Sequence, residues 1–164
     1  MPTDSFEVFI GYLMLDAWIA NQDRHHENWG VIEFDQQMYL APTFDHAPSL
    51  GQNLTANNRL KRLNTRDKNY HITAYVKKAK SAIYEQPGEG KSLSTLEAFS
   101  KVARRRKMAA RAWLGQLEQI TESHYQAISQ QLPKDIISPV AIVFAMELLK
   151  LNQQRLFSLG EALL

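Results

Sequence analysis

Asn21-Gln22-Asp23-Arg24-His25-His26-Glu27-Asn28 is a polar run with no apolar period, and its flanks decide how this part of the chain is built. On the N-terminal side Phe6, Phe9, Ile10, Leu13, Ala17 and Trp18 recur at helical spacing. That spacing predicts an amphipathic helix from Asp4 to about Ala20, capped by Asp4 or Ser5, with Glu7 in its first turn. On the other side Trp29 to Phe34 reads as a short strand, Asp35-Gln36-Gln37 as a turn, and Met38 to Ala41 as the return strand. Pro42 ends the pairing because it offers no ladder N–H, and Thr43-Phe44-Asp45 follows. The order is helix, polar loop, β-hairpin, aspartate.

Further out the signal is plainer. From His46 to Lys68 the chain reads as largely irregular, with a helical turn around Asn57 to Leu63. Thr73 to Tyr84 has weak helical character, and Glu85 to Gly90 is a loop. Helices are expected over Ser94 to Lys107, Ala109 to Gln131 and Pro139 to Leu159. Pro133 separates the last two, Pro139 suits a first turn, and Gly160 serves as a stop. The predicted fold class is mainly α with a small β-hairpin and an all-helical C-terminal part, in a single domain over residues 1–164.

Composition narrows the function classes. At 164 residues and 45% hydrophobic, the chain can bury a core without staples. It has no cysteine, which excludes disulfides, thiolate metal sites and a cysteine nucleophile. Met1 leads into Pro2-Thr3-Asp4-Ser5 and not into a basic leader, and the apolar stretch Val140 to Met146 is too short to span a bilayer. A cytoplasmic protein without membrane contact is therefore expected. A net charge of +2 demands no nucleic acid, and no direct nucleic-acid binding is expected. Locally, Arg59, Lys61, Arg62, Arg66, Lys68, Lys77, Lys78 and Lys80 face Asp67 alone. Such a run is either a solvated face or a surface for phosphate or an acidic partner.

Phosphoryl transfer from ATP explains the spacing around the polar run. It needs an Asp to accept or orient the substrate hydroxyl, then an Asn and a second Asp to hold magnesium. Magnesium favours a few hard oxygen ligands and keeps water and phosphate in its other positions. In protein kinases the Asp and Asn are separated by four residues, and a hairpin leads to the metal-binding Asp. Asp23 and Asn28 have that separation, the segment from Trp29 to Ala41 supplies the hairpin, and Asp45 follows. Each residue also has an ordinary reading: Asp23 a turn residue, Asn28 a cap on its own backbone, Asp45 an Asx-turn before Pro48.

The wording Asp23-Arg24-His25-x-x-Asn28 resembles the loop shared by phosphatidylinositol 3/4-kinases and HipA-like serine/threonine kinases. Lipid kinases continue to Asp-Phe-Gly, whereas Leu40-Ala41-Pro42-Thr43-Phe44-Asp45 is similar to the corresponding HipA-like segment. The helix ending in Leu15 to Gln22 also fits that family, and the likeness covers roughly residues 8 to 51. The resemblance implies a protein-kinase-like C-lobe using Mg2+ and ATP. Asp23 would be the catalytic base or the substrate-orienting carboxylate, His25 a catalytic and phosphate-contacting residue, and Asn28 and Asp45 the magnesium ligands. Arg24 would brace the loop by pairing with a carboxylate.

In that family the lobe that grips ATP lies upstream, and the 22 residues before Asp23 read as one helix without a lysine. The expectation is thus an isolated C-lobe that needs an N-lobe, from a longer protein, a separate chain or self-association. The family includes toxins paired with DNA-binding antitoxins, which adds such an antitoxin and a protein substrate to the expected partners. The alternative is a catalytically inactive kinase-lobe fold acting as an interaction module. Two other motifs fall short. Gly88-Glu89-Gly90-Lys91-Ser92 has Glu85 where a phosphate loop needs its first Gly, and His25-His26-Glu27 has Gly30 where a zinc helix needs its second His.

Overall fold

The computed structural model describes residues 4–86, 88, 90–133 and 135–163. Its elements in chain order are α1 (Ser5–Ile19), β1 (Val31–Phe34), β2 (Gln37–Leu40), α2 (Ala56–Asn64), α3 (Ile72–Lys78), α4 (Thr95–Arg105), α5 (Lys107–Glu118), α6 (Glu122–Gln130) and α7 (Pro139–Leu163). The mainly helical class with one small hairpin is what the described residues adopt. None of these helices is long and apolar enough to cross a membrane.

Helix α1 starts where its cap dictates, the Asp4 carboxylate accepting the Glu7 N–H at 2.7 Å. It ends at Ala20, whose left-handed backbone (φ 53°) turns the chain into the polar run. The helix is the hub of the molecule. Ile10, Leu13, Met14 and Ala17 enter one core cluster with Phe99, Ala110, Leu114, Leu117 and Leu156. Polar ties fix its neighbours: Trp113 Nε1 donates to Glu7 O at 2.8 Å, and Trp18 Nε1 donates to Leu149 O at 3.2 Å. Gly11 is required here, since an added Cβ would run into the Trp113 ring. A second cluster gathers Ala20, Ile72, Val76, Ala79, Phe144 and Leu148, so α7 runs through both.

Several boundaries differ from the sequence reading. The hairpin turn has two residues, not three: Asp35 and Gln36 both take left-handed backbone (φ 53° and 59°), so Gln37 pairs with Phe34. The segment after His46 is less irregular than expected, because Thr55 caps a full helix, α2, through the Asn58 N–H. The expected helix from Ala109 to Gln131 is two, α5 and α6. Thr121 is extended and its N–H turns to His124 Nδ1 at 3.0 Å, which starts a new helix. Gly160 does not stop α7. It lies buried inside the helix, where a Cβ would meet Leu114 Cδ1 at 2.9 Å, so its role is close approach of α5 and α7. Within the expected loop from Glu85 to Gly90, Pro87 and Glu89 fall outside the described residues.

Candidate active site

The polar run is organised by a buried ion pair. Asp16 sits on the buried face of α1, one turn after Leu13, where a lone carboxylate would be costly. Arg24 answers it with two parallel bonds, Nε to Oδ2 at 2.8 Å and Nη2 to Oδ1 at 2.7 Å. Arg24 is 0% exposed and Asp16 1%. Asn21 Nδ2 adds a third bond to the carboxylate at 2.9 Å, and Asn21 Oδ1 accepts from the Asp23 N–H at 3.3 Å. The remaining side of the guanidinium faces the loop and the segment after the hairpin. Arg24 Nη1 donates to Asn28 O at 2.6 Å and to Phe44 O at 3.5 Å. One side chain therefore fastens the end of the loop to the residue before Asp45.

Asp23 and Asn28 meet. Asn28 Nδ2 donates to Asp23 O at 2.7 Å and to Asp23 Oδ2 at 3.3 Å. Both acceptors are oxygens without protons, so the amide NH2 must face them and Asn28 Oδ1 faces away. Among the described residues that oxygen has no hydrogen-bond donor. The other oxygen of Asp23 lies 3.5 Å from His25 Nε2. His25 Nδ1 accepts the Glu27 N–H at 3.2 Å, which puts the ring proton of a neutral His25 on Nε2, facing Asp23. The Glu27 carboxylate at 3.7 Å from Nδ1 is the weaker contact of the two. Asp45 is exposed with left-handed backbone (φ 50°), and among the described residues it forms no ion pair.

The expected residues thus fall into two groups. Asp23, His25 and Asn28 are in mutual contact, and Asp45 is linked to them through Phe44 O and Arg24. Other ties hold the frame: Tyr12 Oη donates to Ala41 O at 2.7 Å, Leu50 N to Ile19 O at 2.9 Å, and Gln22 N to Pro48 O at 3.3 Å. The donor set suits magnesium, with one amide oxygen and one carboxylate left outward, both hard oxygens. Among the described residues no three His, Asp or Glu side chains cluster as a metal cage.

A cleft lies away from the loop. It has a volume of about 690 Å3 between α2 and α7, with Leu60, Leu63, Val140, Val143 and Met146 in its walls, and it carries none of the loop residues. Sequence reasoning found Arg24 but not which carboxylate it would meet. The signal was available, since Asp16 falls in register with the apolar stripe of α1. In comparisons with known proteins, no family model, no curated protein and no solved structure matches the chain.

Proposed function

We propose that the chain is the catalytic-loop lobe of a HipA-like, magnesium- and ATP-dependent serine/threonine phosphotransferase. The observation that carries this reading is the double hold of Arg24 Nη1 on Asn28 O and Phe44 O. Phosphoryl transfer needs the acid–amide loop and the second Asp brought to one place, with a hairpin between them, and that hold is a device for doing so. Magnesium with ATP supplies the electrophilic phosphoryl group and the charge neutralisation. Asn28 Oδ1 and the Asp45 carboxylate would hold the metal. Asp23 would orient the acceptor hydroxyl and receive its proton, and its carboxylate keeps lone pairs for this beyond its two contacts. His25, with Nε2–H turned to the same carboxylate, would donate to a phosphate oxygen once one is present. Arg24 touches none of these reactants and is a positioning residue.

Among the described residues the sheet is the two-stranded hairpin alone. On this reading the strand lysine that reaches the α- and β-phosphates would come from beyond them, in a longer protein or a partner chain. The family likeness also makes a protein serine or threonine the acceptor and a DNA-binding antitoxin the expected partner, as in a toxin–antitoxin pair.

A second reading, a catalytically silent interaction module, is favoured by the hairpin. Ile32, Phe34 and Met38 are 50%, 69% and 58% exposed, as on a surface that something else covers. Calorimetric titration of the chain with ATP and magnesium, beside Asp45→Asn, separates the two. Saturable binding that needs magnesium and weakens at least about tenfold in the variant supports the phosphotransferase lobe. Equal binding by both proteins, or none by either when the chain is joined to its nucleotide-gripping lobe, favours the module.

A further inference from the structure

Gln22, the residue before Asp23, also lines a separate cavity of about 230 Å3, together with Arg62 of α2, Asn69, Tyr70, and Tyr75 and Lys78 of α3. Its lining holds two cations, two amides and two phenols, and no carboxylate. Arg62 is fixed in place. Its Cζ lies 4.4 Å from the Tyr70 ring centroid and 5.0 Å from that of Tyr75, and Nη1 donates to Tyr70 O at 3.1 Å. A guanidinium has five N–H donors. The bond to Tyr70 O is its one hydrogen bond among the described residues, and the buried Nε has no acceptor at all. Arg59, three residues earlier on α2, is similar: Nη2 reaches Gly51 O and Gln52 O, while Nε is buried without a partner.

The Nη donors left over on this half-buried guanidinium need something, water or a ligand, that accepts from them. Asp67 does not. It accepts the Asn69 N–H at 2.9 Å and forms no ion pair with Arg62 or Lys78 among the described residues. Tyr75 offers another donor. Burial, outweighing the nearby Arg62 and Arg59 charges and the hydrogen bond from Gln22, raises its hydroxyl above the ordinary 10.0, so it stays protonated at neutral pH.

We propose that this cavity is an anion subsite, taking one phosphate or carboxylate group of a protein substrate beside the Asp23 loop. Only the placement beside a reacting hydroxyl rests on the phosphotransferase reading; the binding of the anion does not. A single group on a protein fits better than a nucleic acid. The cavity is small, the net charge of the chain is +2, and the exposed Lys61, Arg66 and Lys68 lie outside its lining. Nucleic acid needs a continuous basic track.

The test is fluorescence anisotropy of the full chain, without ATP or magnesium. The probes are three labelled peptides that differ at one position: phosphoserine, glutamate or serine. Saturable binding of the phosphoserine or glutamate peptide, and not of the serine peptide, is expected, and which of the two binds tells which anion is the source. Arg62→Lys, which loses the fork and the stacking, and Lys78→Gln, at an exposed position that leaves folding intact, should each weaken it about tenfold. Lys61→Gln and Lys68→Gln should change it by less than about twofold. Equal binding of the serine peptide, or equal losses in the Lys61 and Lys68 variants, would overturn the subsite. So would tighter binding of a single-stranded oligonucleotide. Absence of magnesium–ATP binding when the chain is joined to its nucleotide-gripping lobe, with peptide binding retained, would remove the phosphotransferase reading and leave the subsite standing.

Discussion

Arg24 carries more of the candidate site than any residue that would touch a reactant. Its guanidinium makes two bonds to Asp16 and two to backbone carbonyls, all with no exposed surface. A lysine could not replace it, since one ammonium cannot present that fork. Replacing Asp16 by Asn would leave the charge buried with a neutral partner, which costs about 3–5 kcal/mol. Against a total of about 5–15 kcal/mol for a domain, Asp16→Asn should bring the chain close to unfolding. The double variant Asp16→Leu with Arg24→Met should be more stable than Asp16→Asn, because no charge remains to be compensated. Urea unfolding measures both, and a cost under about 1 kcal/mol for the single change would refute the view that the pair is dry and obligatory. The Asp23–Asn28 spacing was legible in the sequence because four intervening residues close one short loop. The Arg62 subsite was not, because Gln22, Arg62, Asn69 and Tyr75 meet only after α2 and α3 fold back on the loop.

At the level of elements, the boundaries that sequence patterning found best are those set by caps. Asp4 opens α1, and Ser94 opens α4 with a reciprocal box: Glu97 N donates to Ser94 Oγ at 3.2 Å, and Ser94 N to Glu97 Oε2 at 2.7 Å. Misplaced boundaries depend on tertiary contacts. Gly160 looks like a stop locally, but α7 continues because the glycine lets Leu114 close on it. The Ser94 box also makes a pH prediction. The Ser94 backbone N–H, then its hydroxyl, holds the Glu97 carboxyl below its ordinary 4.5. A folded-state value below the unfolded one means the contribution is complete above about pH 4.5. It is lost as the pH falls through the depressed folded value. Ser94→Ala should cost about 1 kcal/mol at pH 7. The difference between the two proteins should shrink on acidification below pH 4, measured by thermal unfolding across pH. A gap that stayed constant to pH 2 would show that the carboxylate gains nothing from the Ser94 hydroxyl, the bond from the Ser94 backbone N–H being kept in the variant.

At the scale of the molecule, the two core clusters of the described residues are joined by α7. Leu156 is fully buried in the cluster built on α1, α4 and α5, and Leu148 is fully buried in the one built on α3 and the chain after α1. Both lie on α7, which also packs on α2 and α6. Polar bonds repeat the link. Asn152, between the two leucines, donates to Trp18 O at 3.1 Å, and Arg155 Nη1 donates to Val76 O at 2.9 Å. Ala20 belongs to the second cluster while Ala17, one turn earlier, belongs to the first, so α1 bridges them as well. The frame that aims the candidate loop is therefore one cooperative unit, since neither cluster can open without exposing a side of α7. Leu148→Ala and Leu156→Ala should each cost about 2–5 kcal/mol. Each should lower a single unfolding transition and not split it. Trp18 and Trp113 pack on the first cluster and Trp29 lies against Phe9 of α1, so tryptophan fluorescence reports that region, whereas far-UV circular dichroism reports all seven described helices. Coincident curves for both probes in both variants are expected. Separation of the curves in Leu148→Ala, with helix signal lost before the tryptophan fluorescence responds, would mean that the region carrying α2, α3 and the anion cavity folds as its own unit. The loop at Asp23, tied to α1 on one side and Pro48 on the other, would then sit on a hinge instead of a rigid frame.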